Sequence, residues 1–291
     1  MDLFNTNAKW YKGNLHTHTS CSDGHRSIEE CAALYKNAGY NFICITDHRK
    51  YFKGYVQNDF LVFSGCEFHI NDFFTKRAYH ITGIEIQHEI YSDDNFTPQQ
   101  IIDNINKANG MAIIAHPAWS LLTHDDVLNL KGYIGVEIWN TMSETRSKRG
   151  DSSQFVDVLA SKGRNPLLFA VDDTHFYDDD LFGGYIMVNS ESFNKDDITK
   201  NIKKGNFYCT QGPIIKQITV NDEYICVYTS PVEEITFFSD TFYCIDRVCR
   251  CENSLLNEAK YKIKDTDKFI RIECKSENGE KAWSQIIKCT N

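Results

Sequence analysis

What most constrains this chain is a rhythm in its first two thirds, where short apolar runs alternate with helical patterns and run after run closes on a histidine, aspartate or glutamate. GNLHTHT (13–19), NFICITDH (41–48), LVFSGCEF (61–68) and AYHITGIEI (78–86) read as strands, because β-branched and aromatic residues crowd runs too short for helices. MAIIAHP (111–117), YIGVEIWN (133–140) and NPLLFAVDD (165–173) continue the series. Ser27 with Glu30 three residues later makes a capping box, and Thr97-Pro98 with Gln100 makes a second helix start. Further helical patterns cover 124–130, 152–162 and 194–204. Such alternation demands a mostly parallel sheet with covered faces. Polar residues gathered at the carboxyl ends of those strands predict a closed or nearly closed barrel, whose sites collect at that end.

After Gly212-Pro213 the rhythm is lost. IIKQITV, YICVYTS, EEITFFS, FYCIDRVC, FIRIECK and AWSQIIKC are β-type segments separated by polar turns. They predict a small antiparallel β-sandwich. The expected division is therefore a barrel over 1–210 and a β-sandwich-like domain over 211–291.

All ten histidines precede residue 176, whereas seven of the eleven cysteines follow residue 205. An odd cysteine count without a secretory leader argues against a disulfide framework. Cys249 and Cys251 stand closer than the pairs of a zinc knuckle, so the tail thiols are expected to act as small buried hydrophobes. No apolar stretch reaches the roughly 18 residues of a membrane span, which with the leaderless start predicts a cytoplasmic protein without a membrane partner. The formal charge of -9 argues against a long nucleic acid, whose backbone needs lysines and arginines to displace counterions. A small phosphorylated partner remains compatible with that charge. The sequence leaves the oligomeric state open.

His16 and His18 are one residue apart, a spacing that on an extended chain puts both imidazoles on one face. Asp173 and His175 repeat it. His48, Glu67, His80 and His116 each sit in or close a separate apolar run. Imidazole with carboxylate suits zinc, iron or manganese, and the ligands outnumber what one tetrahedral ion needs. More than one divalent ion is the natural consequence.

HTHTSCSDG (16–24), ITDH (45–48), the Glu67 of SGCEF, HITGI (80–84), AHP (115–117) and DDTH (172–175) together resemble, in order, the motifs of the polymerase and histidinol phosphatase (PHP) family. The resemblance spans about 160 residues, and the tail resembles the extension of a stand-alone phosphoesterase branch. It implies a distorted seven-stranded (β/α) barrel with three divalent ions of manganese, iron or zinc. One ion would be held by His16, His18, Glu67 and Asp173. Glu67 would bridge to a second that also takes His80 and His116. Asp23, His48 and His175 would hold the third. Glu67, Asp173 and His175 would then be catalytic as ligands, the nucleophile being a hydroxide activated between the ions.

Several neighbours qualify as support. Asp47 and Asp172 flank ligands and are candidates to accept a hydrogen bond from an imidazole. Glu137 is a candidate to meet a ligand or substrate, His69 reads as a rim histidine, and Asp126 and Asp178 to Asp180 read as solvated loop charge. Arg49, Arg146 and Arg149 in loops at the catalytic end are candidate phosphate contacts, and Trp139 and Asn140 are candidates to line the pocket mouth. The expected function is hydrolysis of a small phosphorylated molecule, a nucleotide or another phosphomonoester. The alternatives are a phosphodiesterase or short-oligonucleotide exonuclease, action on a carboxyl ester or amide, and a binding module that keeps the metal site without turnover.

Overall fold

The computed structural model describes residues 1–57, 59–72 and 77–289. Among the described residues up to position 190 there are ten strands: β1 (Lys9–Asn14), β2 (Phe42–Cys44), β3 (Tyr55–Gln57), β4 (Phe60–Phe63), β5 (Gly65–Asp72), β6 (Arg77–Ile84), β7 (Met111–Ile114), β8 (Gly135–Asn140), β9 (Leu167–Val171) and β10 (Tyr185–Ser190). Helices α1 (Ile28–Asn37), α2 (Pro98–Lys107), α3 (His124–Leu128), α4 (Thr141–Ser147), α5 (Ser153–Ser161) and α6 (Lys195–Lys204) run between and beyond them. The expected capping boxes are present, Ser27 with Glu30 on α1 and Thr97 with Gln100 on α2. α4 is a correction, because Thr141–Ser147 reads as loop in sequence. Asn140 caps it by accepting from the Ser143 amide, and Lys148 ends it in the left-handed region.

Strand pairing divides the front of the chain between two sheets. β1, β2 and β4 are parallel neighbours, whereas β5, β6 and β7 run antiparallel before β7, β8 and β9 turn parallel. The mostly parallel expectation fails at β5, β6 and β7: the four residues between β5 and β6 are too few for a crossover, and β6 and β7 are antiparallel although α2 lies between them. Isolated bridges join the sheets at Thr17–Thr174, His48–Glu67 and Phe52–Gly65. Hydrogen bonding among the described residues does not by itself trace a closed seven-stranded ring. A continuous apolar core nevertheless fills the space between the sheets, with Phe42, Phe68, Ile81, Ile114, Val136, Phe169 and Ile186 all buried.

Beyond α6 come β11 (Phe207–Thr210), which packs into the front core through Phe207 and Cys209, and then the second, β-rich domain with β12 (Ile215–Val220), β13 (Tyr224–Val232), β14 (Glu234–Phe238), β15 (Val248–Arg250), β16 (Leu256–Lys262), β17 (Phe269–Lys275), β18 (Lys281–Trp283) and β19 (Ile287–Lys288). The sheet β12-β13-β16 shares a core with β14 and β17 through Ile218, Val227, Tyr261, Phe237 and Ile272. This domain is not walled off from the first. β18 pairs with β11, β11 with β10, and β10 with β1, so one eleven-stranded sheet runs from the front of the chain into its tail. Phe4 and Trp10 pack with the tail core, and the Leu3 amide donates to the Ile218 carbonyl. Among the described residues no helix is long and apolar enough to cross a membrane.

Candidate metal centre

The expected ligands come together, some just past the carboxyl ends of strands and two, Glu67 and His80, inside β5 and β6. β1 ends at Asn14, so His16 and His18 lie just past it on an extended segment that Thr17 holds by bridging Thr174. Glu67 sits inside β5, where Gly65 permits a close crossing. A Cβ at residue 65 would stand 2.4 Å from Cys44 Sγ and 2.6 Å from the Ile45 carbonyl. His116 and Asp173 follow the ends of β7 and β9 with φ angles of 24° and 57°, a left-handed conformation costing a non-glycine residue about 1–3 kcal/mol. Hydrogen bonds hold both in place: the His116 amide donates to Glu137 Oε2 (2.8 Å), and the Asp173 amide to the His16 carbonyl (2.9 Å).

Glu67 is the hub. Its Oε1 lies 3.4 Å from His16 Nε2, 3.0 Å from His80 Nδ1 and 3.5 Å from His116 Nε2. Its Oε2 lies 3.4 Å from His18 Nε2 and 2.8 Å from His48 Nδ1. Asp173 Oδ1 lies 3.1 Å from both His16 Nε2 and His18 Nε2. Asp23, at the open side, stands 3.6 Å from the Nε2 atoms of His48 and His175 and 3.5 Å from His18 Nδ1. The geometric groupings overlap: His18 closes on Asp23, His48 and His175 as well as on His16 and Glu67, and His48 also joins Glu67 and His80.

Of these approaches His80 Nδ1 to Glu67 Oε1 closes as a hydrogen bond, and four other buried atoms of the cluster stay unsatisfied. His18 Nδ1, His48 Nδ1, Glu67 Oε2 and Asp173 Oδ1 are buried without a hydrogen-bond partner. Four such orphans in one cluster are far more than a folded interior tolerates, unless a cation satisfies them. Burial opposes charge on both sides, yet the carboxylates hold His16 and His116 above the ordinary histidine range and carry His18 up to about 9. The imidazoles in turn pull Glu67 and Asp173 well below the carboxylate range against the cost of their burial. At His80 and His175 burial prevails and lowers the pKa, so His16, His18 and His116 are the imidazoles that would exchange a proton for a metal cation.

The supporting shell includes Glu137 as expected but not Asp47 or Asp172. Glu137 Oε1 accepts from His16 Nδ1 at 2.7 Å, which leaves Nε2 facing the cluster, as ligand imidazoles require. Asp47 and Asp172 touch no imidazole. Asp47 accepts from the Thr19 amide and hydroxyl and from the Ser22 hydroxyl, holding the loop after His18. Asp172 accepts from Tyr35, Thr141 and the amides of Phe182, Gly183 and Gly184. Its burial raises the carboxyl to about 6 against those hydrogen bonds. Asp180 is wholly buried rather than solvated, and it accepts from Thr174 Oγ1 and the amides of His175, Phe176 and Tyr177 at 2.7–2.8 Å. Asp126 is likewise engaged, by Arg77, Tyr79 and Thr123.

The candidate substrate contacts are scattered. Arg49 follows His48 in the left-handed region, and its guanidinium donates to the His69 carbonyl and pairs with Asp94. Arg146 pairs with Asp178 and Asp179 and lies over the Phe176 ring, while Arg149 is exposed. Trp139 packs against the tail, its ring 6.0 Å from that of Trp283. Asn140 is buried behind the cluster, with its amide donating to Glu137 and Asp173. His69 lies beside the cluster, 5.0 Å from the His48 ring and 5.7 Å from that of His80, and burial lowers its pKa to about 4. Sequence reasoning missed Trp119, whose ring centroid is 4.9 Å from His116 and 5.4 Å from His80. Its only sequence signal is adjacency to the AHP motif.

Comparison with solved structures finds a two-domain protein from Bacteroides vulgatus containing a predicted PHP-like metal-dependent phosphoesterase. The identity is 13%, 94% of this chain and 92% of that one are covered, and the TM-score of 0.56 shows a shared fold. Two looser likenesses, both with a TM-score of 0.43, bear on nothing further. One is a candidate metal-dependent phosphoesterase from Bifidobacterium adolescentis (12% identity, 65% and 94% coverage), the other an amidohydrolase from Chromobacterium violaceum with bound sulfate and no metal (14%, 58% and 89%). Comparison with curated proteins found no match. The PHP domain family model matches residues 14–183, more than half of the chain and the whole of the histidine-carboxylate cluster, and the protein therefore belongs to the PHP domain family.

Proposed function

We propose that the protein is a metal-dependent phosphoesterase acting on a small phosphorylated molecule, with a phosphomonoester as the leading class. The observation that carries this reading is Glu67, a buried carboxylate within 3.5 Å of five imidazoles and with one oxygen left unpartnered. The donor set fits manganese, iron or zinc, all of which accept imidazole and carboxylate. His16, His18, Glu67 and Asp173 would hold one ion, Glu67, His80 and His116 a second, and Asp23, His48 and His175 a third. Bound divalent cations supply Lewis acidity toward phosphoryl oxygens and activate water at neutral pH.

The chain's own residues do the positioning. Glu137 fixes the His16 ring, Asp47 fixes the loop that follows His18, and Asp180 gathers the amides that aim His175. The two front sheets supply a rigid rim, the PHP-type barrel in this reading, so the ligands are held before substrate arrives. The PHP-like phosphoesterase description of the Bacteroides vulgatus neighbour supports the reaction class.

The test is a screen of the full chain reconstituted with manganese, iron or zinc, against phosphomonoesters, nucleoside bisphosphates, cyclic phosphates and diesters, with carboxyl esters and amides alongside. Metal-dependent release of phosphate from monoesters is expected. Turnover confined to carboxyl esters or amides, or none with metal fully bound, overturns the phosphoesterase reading.

A further inference from the structure

A cavity of about 570 Å³ lies between the amino-terminal segment, the end of β10 with the loop after it, and α6. Ser190 at its edge pairs with Lys9, where β1 begins, whereas His16 and His18 follow the end of β1. The cavity is therefore at the opposite end of β1 from the histidine-carboxylate cluster. One face of α6 lines it, because Asp197, Lys200, Asn201 and Lys204 recur at helical spacing while Ile198 and Ile202 turn into the core.

Most polar groups around the cavity are already paired. Asn206 Nδ2 donates to Asn201 Oδ1 (2.8 Å), and Asn201 Nδ2 donates to Ser190 Oγ (3.0 Å). Asp197 accepts from Ser192 and Asn194, and Glu191 accepts from Asn5 Nδ2. What is left over mostly donates. Asn189 lines the cavity and is only 4% exposed, and its Oδ1 accepts from the Asn5 amide at 2.9 Å, which fixes the orientation of the side-chain amide. Its Nδ2 is buried without a partner. Lys200 and Lys204 close no ion pair among the described residues, though Lys200 is near enough to help lower the Asp197 carboxyl. Against them stands the exposed carboxylate of Asp2 on the amino-terminal segment.

A buried amide donor without an acceptor is costly, and an oxygen from a bound molecule removes that cost. Two lysines beside it favour an anion. Lysine is a compact point charge without the planar fork that suits phosphate, and the acidic side chains nearby disfavour a dianion, so a carboxylate fits best. The amides and hydroxyls along the walls suit ligand hydroxyls, and the volume is that of a small-molecule site. We propose that this cavity is a second ligand site, separate from the metal centre, for a small hydroxylated carboxylate of the sugar-acid type. A ligand oxygen accepts from Asn189 Nδ2, and the carboxylate lies toward Lys200 and Lys204. The Leu3 and Phe4 amides donate to Ile218 and Gln217 of β12, so the segment that walls the cavity also ties the tail to the front of the chain.

Calorimetry on the metal-loaded full chain tests this with gluconate, its uncharged counterpart sorbitol, and inorganic phosphate as probes. Gluconate should bind one per chain and sorbitol at least tenfold more weakly. Asn189→Asp keeps the acceptor for the Asn5 amide and turns the unpartnered donor into an acceptor, so it should abolish gluconate binding. Lys200→Gln and Lys204→Gln should each weaken it about tenfold. Both lysines are exposed, so these two variants test the site even where Asn189→Asp fails to fold. Glu67→Gln should bind gluconate as wild type does, which separates this site from the metal centre. No binding of gluconate, equal affinity for sorbitol, or binding lost in Glu67→Gln but kept in the lysine variants overturns the proposal. Phosphate that displaces gluconate from Glu67→Gln at a lower concentration than gluconate itself requires overturns the carboxylate class.

Discussion

Arg271 on β17 and Glu67 on β5 are both fully buried charges, but their neighbourhoods are finished differently. The Arg271 guanidinium meets both oxygens of Asp157 on α5 at 2.7 Å. Glu273, 3.4 Å away, in turn accepts from Trp283 Nε1 and pairs with Lys281. Every charge there has a protein partner. Around Glu67 and Asp173 equally close approaches leave buried atoms unsatisfied. A completed network docks the tail on α5, whereas an incomplete one marks a place built around something the chain does not supply.

The largest expected break in that contrast is Asp173→Asn, which keeps volume and removes charge from the cluster. Phosphatase activity should fall by more than about 100-fold, beyond the upper range for supporting groups, as steady-state assay at saturating metal will show. Arg271→Met should do the opposite. Leaving Asp157 without its partner is expected to cost about 3 kcal/mol in urea unfolding, while metal bound per folded chain stays at the wild-type level. A metal loss equal to that of Asp173→Asn would erase the distinction between the two networks.

Glu137→Gln tests whether the imidazole tautomer matters. Metal affinity, measured by competition with a chromogenic chelator, should drop about 10- to 100-fold with the fold intact. The pH dependence sharpens the same point. The His18 pKa of about 9 exceeds its unfolded value, so in metal-free protein its stabilising contribution is complete below about pH 6.5 and is lost as pH rises through about 9. Metal displaces that proton, so apparent affinity should rise by up to about tenfold per pH unit across this window. A flat profile would show that the imidazoles do not hold the ions.

The smallest effect belongs to the half-exposed edge of the docking network. Ser153 and Lys281 depress the Asp151 carboxyl below its ordinary range against the cost of burial, so its contribution is present above about pH 4 and fades as pH falls through the lowered value. Lys281→Met should cost at most about 1 kcal/mol at pH 7, and the difference from wild type should shrink in acid.

Much of the candidate cluster was legible because its spacing is local. Period two fixes the common face of His16 and His18, and His48, Glu67, His80, His116 and Asp173 each close or sit in an apolar run. The capping residues of α1 and α2 were legible for the same reason. What eluded the sequence is long-range. Glu137 was legible as a candidate to meet a ligand, but not that its partner is His16, 121 positions away, and Asp47 and Asp172, nearest to candidate ligands along the chain, point elsewhere. The pairing of β11 with β18, which fuses the two domains through one sheet, leaves no mark on either segment alone. β16 was missed because LNEAKYK is mostly polar, with Tyr261 its one buried residue.

The central claim is that Glu67 organises bound metal and that bound metal performs the hydrolysis. The most direct test replaces Glu67 with Gln and measures elemental metal content and phosphomonoester hydrolysis on the same purified samples. Metal per chain and rate should fall together, with circular dichroism unchanged. Wild-type metal content with a wild-type rate would contradict the claim.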